Sequence, residues 1–384
     1  MDDNEKIIVL NGNNNNILSL KVNSHKTNKN NLIDYISFAK IISSFGVVTL
    51  HINGGFWFYN VSNKKKWIIQ NIYETLFYYS VPFFVLCIGA TLLNFRERYG
   101  LYEYNKKRII KVFVPLIGWT FILYLYKVYI LKNIKKESFN FVSLWNYFFS
   151  SKLYLIYSSL HIFLITYMLI PLVAYVENSN KLRIYSYCFF LLLITQSIIP
   201  YLINLFADKM IYIYKINIGY IIYIFAGYII HNYNFSRLSK NFIYILGVFS
   251  FFIHLLGTNI LTFRYNRIII IHKGYLNLPC VLHSCSFFVF VKNYSYLVYD
   301  KIDKKYINKI GSLTLGPFFM HLVVKETIDK FFKFDNLIKF NVLLSSFVVF
   351  SICLVISSIL KKIPITFYYY LSLQNYIFCL ICYI

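Results

Sequence analysis

Apolar runs long enough to cross a bilayer recur along the whole chain, and this constrains it to a bundle of membrane helices. A spanning helix needs about twenty predominantly apolar residues. Ten such runs stand at roughly 33–53, 67–93, 112–131, 153–176, 184–203, 216–231, 241–261, 275–292, 312–332 and 338–360. Of the 384 residues, 58% are hydrophobic and 14% charged, where a soluble protein carries about a quarter charged. The expected fold is all-α, a polytopic transmembrane helical bundle with about ten spans.

Polar and apolar flanks bound that domain. Residues 1–31, with the Asn11 to Asn16 patch and Lys21, Lys26 and Lys29, read as a disordered polar cytoplasmic tail without the compact start of a signal peptide. Residues 32–362 form the expected membrane domain. Residues 363–384 are an apolar C-terminal extension, either an interfacial segment or an eleventh span. The loop Asn94 to Lys111 holds Arg96, Arg98, Lys106, Lys107, Arg108 and Lys111, and Lys292 to Lys309 is a second basic segment. Both place the N-terminus in the cytoplasm of a multi-pass cell-membrane protein, while Lys64 to Lys66 and Lys132 to Lys136 run against the rule.

The formal charge of +24 does not indicate nucleic-acid binding. It lies in short loops between apolar spans, and the abundance of Lys, Asn, Ile, Tyr and Phe fits a bias towards A/T-rich codons. The expected partner is the lipid bilayer; the oligomeric state is left open. The seven cysteines fall mostly within apolar runs and lack the paired spacing of a zinc site, so no metal is expected.

Within the first run, Asp34 to Gly54, two ionisable residues occupy a segment where such groups are costly, Lys40 and His51. At about 100° per residue, eleven steps make about three turns, so the two point the same way about 16 Å apart. Either Lys40 snorkels to the nearer surface and His51 is an interfacial histidine, or both line a polar passage between helices. Glu74, about two turns into the second span, is expected at a depth comparable with His51, and a buried carboxylate needs a partner. His51 and Lys40 are the partners considered.

Several segments together resemble one family, the acyltransferase 3 integral-membrane O-acyltransferases, and within it the surface-polysaccharide O-acetyltransferase branch. Lys40 and His51 occupy the places of that family's basic residue and histidine on its first helix. Val81-Pro82-Phe83-Phe84-Val85-Leu86-Cys87-Ile88-Gly89 is similar to its Val-Pro-x-Phe-Phe-x-x-Ser-Gly pattern, with Ile88 where Ser is usual. Arg96-Glu97-Arg98-Tyr99 and the run Lys106 to Pro115 resemble its basic loop and third helix. Ser312 to His321 resembles its late Thr-Phe-Gly-Ile-Tyr-Leu-x-His signature. The likeness covers roughly residues 33–362.

This resemblance implies transfer of an acyl group, most often acetyl, from cytoplasmic acetyl-CoA to a hydroxyl of a surface polysaccharide or a lipid-linked saccharide. Coenzyme A is a polyanion, and Arg forks suit phosphate oxygens, so Arg96, Arg98 and Arg108 are the donor-binding candidates. His51, Glu74 and Lys40 are the catalytic candidates: His51 acts either as general base on the acceptor hydroxyl or as covalent acyl relay. His321 stands behind them as a supporting residue. The alternative is a polysaccharide exporter or flippase of the same family without acyl transfer.

Overall fold

The first helix, α1 (Lys29–Ile52), is the post around which the bundle is built. The computed structural model describes residues 29–132, 142, 146, 156–206, 220–332 and 341–362. Among these the architecture is all helical, with no strand. After α1 come α2 (Lys64–Phe77), α3 (Ser80–Leu92), α4 (Leu101–Arg108), α5 (Val114–Tyr129), α6 (Ile156–Val173), α7 (Lys181–Leu192) and α8 (Ile199–Phe206). Then follow α9 (Ile221–Asn232), α10 (Arg237–Phe252), α11 (Thr258–Tyr265) and α12 (Leu278–Tyr294). The last three long helices are α13 (Lys304–Leu313), α14 (Leu315–Phe332) and α15 (Val342–Leu360).

Among the described residues, five stretches are long and apolar enough to cross a membrane: Tyr35–Ile52, Val61–Glu97, Lys181–Phe206, Arg237–Tyr265 and Val342–Leu360. The α13–α14 pair, bent by 59°, makes a sixth if taken as one broken span. Helices also stand at the other expected positions, but several are short. Helix α9 has 12 residues, which at 1.5 Å per residue reach about 18 Å, against about 30 Å of hydrocarbon. Among the described residues the ten runs therefore mark helices, five or six of them long and apolar enough to cross. The proposed tail 1–31 lies almost wholly, and the extension 363–384 wholly, outside the described residues.

Two interruptions flank α1. One separates α2 from α3 at Tyr78 and Tyr79, the other separates α13 from α14 at Thr314. Buried backbone polar groups in a bilayer need partners inside the protein, and α1 supplies two hydroxyls beside these breaks. Ser43 Oγ donates to the Ser80 carbonyl at 2.5 Å, and Ser44 Oγ donates to the Thr314 carbonyl at 2.9 Å. Gly311 lets α13 approach Ser37 closely. These small residues draw both broken helices against α1, so the side chains beyond the breaks converge at its far end.

The deepest packing joins α3 to α9. Gly89 faces the Ile224 carbonyl and Gly227 faces the Leu86 carbonyl, so a Cβ at either glycine would collide with backbone. Close approach through paired small residues is the ordinary way for helices to associate in lipid. With Ile222, Tyr223 and Ile224 fully buried or nearly so, α9 is a core element despite its lipid-like composition.

Candidate active site

His51 lies in the last turn of α1 and is half-buried. Its neighbour is His321 of α14, with ring centroids 5.1 Å apart and ring planes tilted by 43°. The pairing follows from the register set below it. Ser44 meets Thr314, and seven residues further on each chain are His51 and His321. Seven residues make about two turns, so two helices running in the same direction bring the imidazoles level.

The tautomer of His321 is set by its own helix. Nδ1 lies 2.7 Å from the Pro317 carbonyl, which can only accept, so Nδ1 carries the hydrogen. Nε2 is then left as a lone-pair acceptor, buried and without a hydrogen-bond partner among the described residues. A neutral imidazole with a fixed tautomer stands beside His51.

Asn53, two residues past His51, connects this end of α1 to α2. Its Nδ2 donates to the Gln70 carbonyl at 2.8 Å and to Glu74 Oε2 at 3.2 Å. Glu74 is 3% exposed. Among the described residues its hydrogen bond comes from Asn53, and the cation whose field acts on it is Lys273. The sequence offered His51 and Lys40 as partners; in the structure Glu74 reaches the His51 end of α1 through Asn53 instead. The turn Gly54–Trp57 that follows Asn53 brings α2 back beside the end of α1, so Asn53 meets Gln70 at the middle of α2 and Glu74 in its second half.

Eleven residues before His51, midway along α1, half-buried Lys40 lies in the field of Arg108 and of the Cys87 thiol. Arg108 is held by aromatic neighbours. Its Nη2 lies 3.4 Å from Tyr99 Oη, and its guanidinium stands 5.4 Å above the Tyr104 ring and 5.6 Å above the Tyr167 ring. Tyr104 Oη in turn donates to the Tyr167 carbonyl at 2.9 Å. Arg108 Nε is buried without a hydrogen-bond partner among the described residues. Arg98 donates to the Thr91 carbonyl and shares the field of Arg108. The charge of Arg108 thus acts on both Lys40 and Arg98. Exposed Arg96 is turned elsewhere, 4.0 Å over the Tyr175 ring.

The structure therefore brings His51 together with His321, and places Arg108 within electrostatic reach of both Lys40 and Arg98. It links Glu74 to the first pair through Asn53 and sets Arg96 apart. Sequence reasoning missed Asn53 and Lys273. Asn53 carried a signal, being a polar residue just past His51 and before Gly54-Gly55; Lys273 is one lysine among many and carried none. His272 and His231, given no role from sequence, hydrogen-bond Tyr201 at 2.7 Å and Tyr35 at 2.9 Å.

Fold and site together define a helical membrane protein with a histidine pair at one end of its first helix and cations acting near that helix's middle. The chain belongs to the acyltransferase 3 family: the family model described as "Acyltransferase domain" matches residues 33–362. That range takes in the first helix with Lys40 and His51 and the helix bearing His321. No curated protein and no solved structure matched the chain.

Proposed function

We propose that this membrane acyltransferase moves an acetyl group from cytoplasmic acetyl-CoA to a hydroxyl of a surface polysaccharide or its lipid-linked precursor in the cell membrane, with its N-terminus in the cytoplasm. The observation that carries this reading is the polarity of α1, with cations around Lys40 at its middle and paired imidazoles at the His51 end. Lys40, Arg98 and Arg108 form a site suited to the phosphates of coenzyme A through charge-assisted bonds. The roughly 16 Å between Lys40 and His51 is a distance a long thin arm such as pantetheine bridges, delivering the thioester to the histidines.

At that end His51 takes the proton of the acceptor hydroxyl while the oxygen attacks the thioester carbonyl. The new C–O bond forms, the C–S bond breaks, and the proton passes to the departing thiolate. His321, its Nδ1 hydrogen committed to Pro317, presents Nε2 as a lone pair beside His51 and holds it in a productive orientation. Glu74 acts through Asn53, fixing where α1 ends. The test uses radiolabelled acetyl-CoA with host membranes containing the wild-type chain or His51→Ala at equal abundance. Alkali-labile acetyl ester is expected to form with the wild type and to fall at least a hundredfold with the variant, in line with the roughly 10²–10⁴-fold worth of a general base. Equal ester from both removes His51 from the reaction.

A further inference from the structure

The loop between α11 and α12 carries a lysine that no part of this reaction yet uses. Lys273 is 3% exposed. Its Nζ donates to Thr75 Oγ1 at 3.1 Å and lies 3.5 Å from His254 Nε2. The faces of Phe56 and Tyr78 stand 5.0 and 5.4 Å from it. Thr75 is the residue after Glu74 on α2, so the ammonium is anchored one position from that carboxylate.

Everything around Lys273 is built to receive it. The helix from α10 to α11 opens into a π-helical turn, Ile253–Gly257, which places His254 at full burial; such single turns often mark functional sites. Gly257 leaves the space that the His272 ring fills, since a Cβ there would clash with the imidazole. Asn71, one turn before Thr75, donates to the Leu255 carbonyl at 3.1 Å and to Asn259 at 2.9 Å, which ties α2 to the same distorted segment. A buried ammonium without compensation is costly. Neutral partners and ring faces solvate it in part, and Glu74 is the carboxylate whose field acts on it.

We infer that Lys273 is a positioning residue of the acyl-transfer reaction: as the buried counter-charge of Glu74 it keeps that carboxylate in place to receive Asn53, and so fixes the end of α1 that carries His51. The inference rests on the acyl-transfer reading. It makes the loop 266–277, far from α1 in sequence, a support of the reacting end of the molecule, and it assigns the distorted α10–α11 helix the task of housing that support.

The test is a double-mutant cycle on the full chain in host membranes, with radiolabelled acetyl-CoA as donor, acetyl ester as product and rates normalised to folded protein. Lys273→Met is expected to lower kcat at least about tenfold while the KM for acetyl-CoA stays within about twofold, because the donor cations lie about 16 Å along α1 from His51. In a Glu74→Gln background the same substitution is expected to cost less than about threefold, since the charge it balanced is gone. Lys273→Arg, which keeps the charge, is expected to retain more activity than Lys273→Met. Where the Lys273→Met chain is too unstable to assay, the same cycle is read on the unfolding midpoint in detergent, with the same non-additive pattern expected. An equal cost in both backgrounds, or a Lys273→Met rate within twofold of wild type, overturns the inference. Absence of ester from the wild type defeats the acyl-transfer reading instead, whatever the lysine does.

Discussion

His51 and His321 face one another with ring centroids 5.1 Å apart, although 270 residues separate Ser44 from the Thr314 carbonyl that brings their helices into register. One histidine is half-buried and the other is sealed with a fixed tautomer. In the proposed reaction the half-buried ring meets the acceptor, and the sealed ring orients it. His321→Asn is expected to lower the acetyl-transfer rate about ten- to a hundredfold, less than His51→Ala, because the general-base contribution of about 10²–10⁴-fold stays with His51. Rates at saturating acetyl-CoA in matched membranes decide; a His321→Asn enzyme at full rate would detach the pair from the chemistry.

The cations around Lys40 make a separate demand. Arg108→Gln removes a charged fork that Tyr99, Tyr104 and Tyr167 hold in place. A hydrogen bond to a charged group is worth about 1.5–3 kcal/mol, so the KM for acetyl-CoA is expected to rise about ten- to a hundredfold with a smaller effect on kcat. Arg96→Gln, whose side chain turns to Tyr175, is expected to move that KM less than about threefold. Initial rates across a range of donor concentrations separate the two arginines.

Packing between α3 and α9 gives a prediction about stability alone. Gly89→Ala and Gly227→Ala each drive a methyl into a backbone carbonyl of the opposing helix. Overpacking of this kind typically costs about 1–3 kcal/mol, and here the obstacle is backbone, which yields least. Each variant is expected to unfold at a lower temperature in detergent and to reach lower membrane abundance. A midpoint equal to wild type would mean that the two helices separate more readily than their packing indicates.

The serines of α1 test how the broken helices are held. Ser44→Ala leaves the Thr314 carbonyl without its donor in the bilayer interior. Interhelical bonds in membrane proteins contribute about 0.6 kcal/mol on average and up to about 1.7, so a modest drop in unfolding midpoint is expected. Because the same bond levels His321 with His51, the transfer rate should fall by more than the stability loss explains. A rate unchanged at equal folded abundance counts against the register argument.

What the sequence made legible follows from periodicity and composition. Apolar length identified helices, and the eleven-residue spacing put Lys40 and His51 on one face of one helix, because both are local properties. The length of each crossing was less legible. Helix α9 shows in sequence only as an apolar run, and its place in the core is set by Gly89 and Gly227, which let two backbones meet; composition does not distinguish lipid from protein as an apolar neighbour. The long-range partners were hidden for a similar reason. Glu74 needed a cation, and the chain offers 39 lysines and arginines; only the fold singles out Lys273, through Thr75 and His254. His321 was visible as a motif, but its pairing with His51 depends on the Ser44–Thr314 bond.

The most direct measurement is the O-acetyl content of the host's surface polysaccharide with the wild-type chain and with His51→Ala at matched membrane abundance. The account predicts loss of the ester with polymer export unchanged, which places His51 on the path of acyl transfer. Unchanged ester would contradict it, and unchanged ester together with failed export would make the chain a polysaccharide carrier.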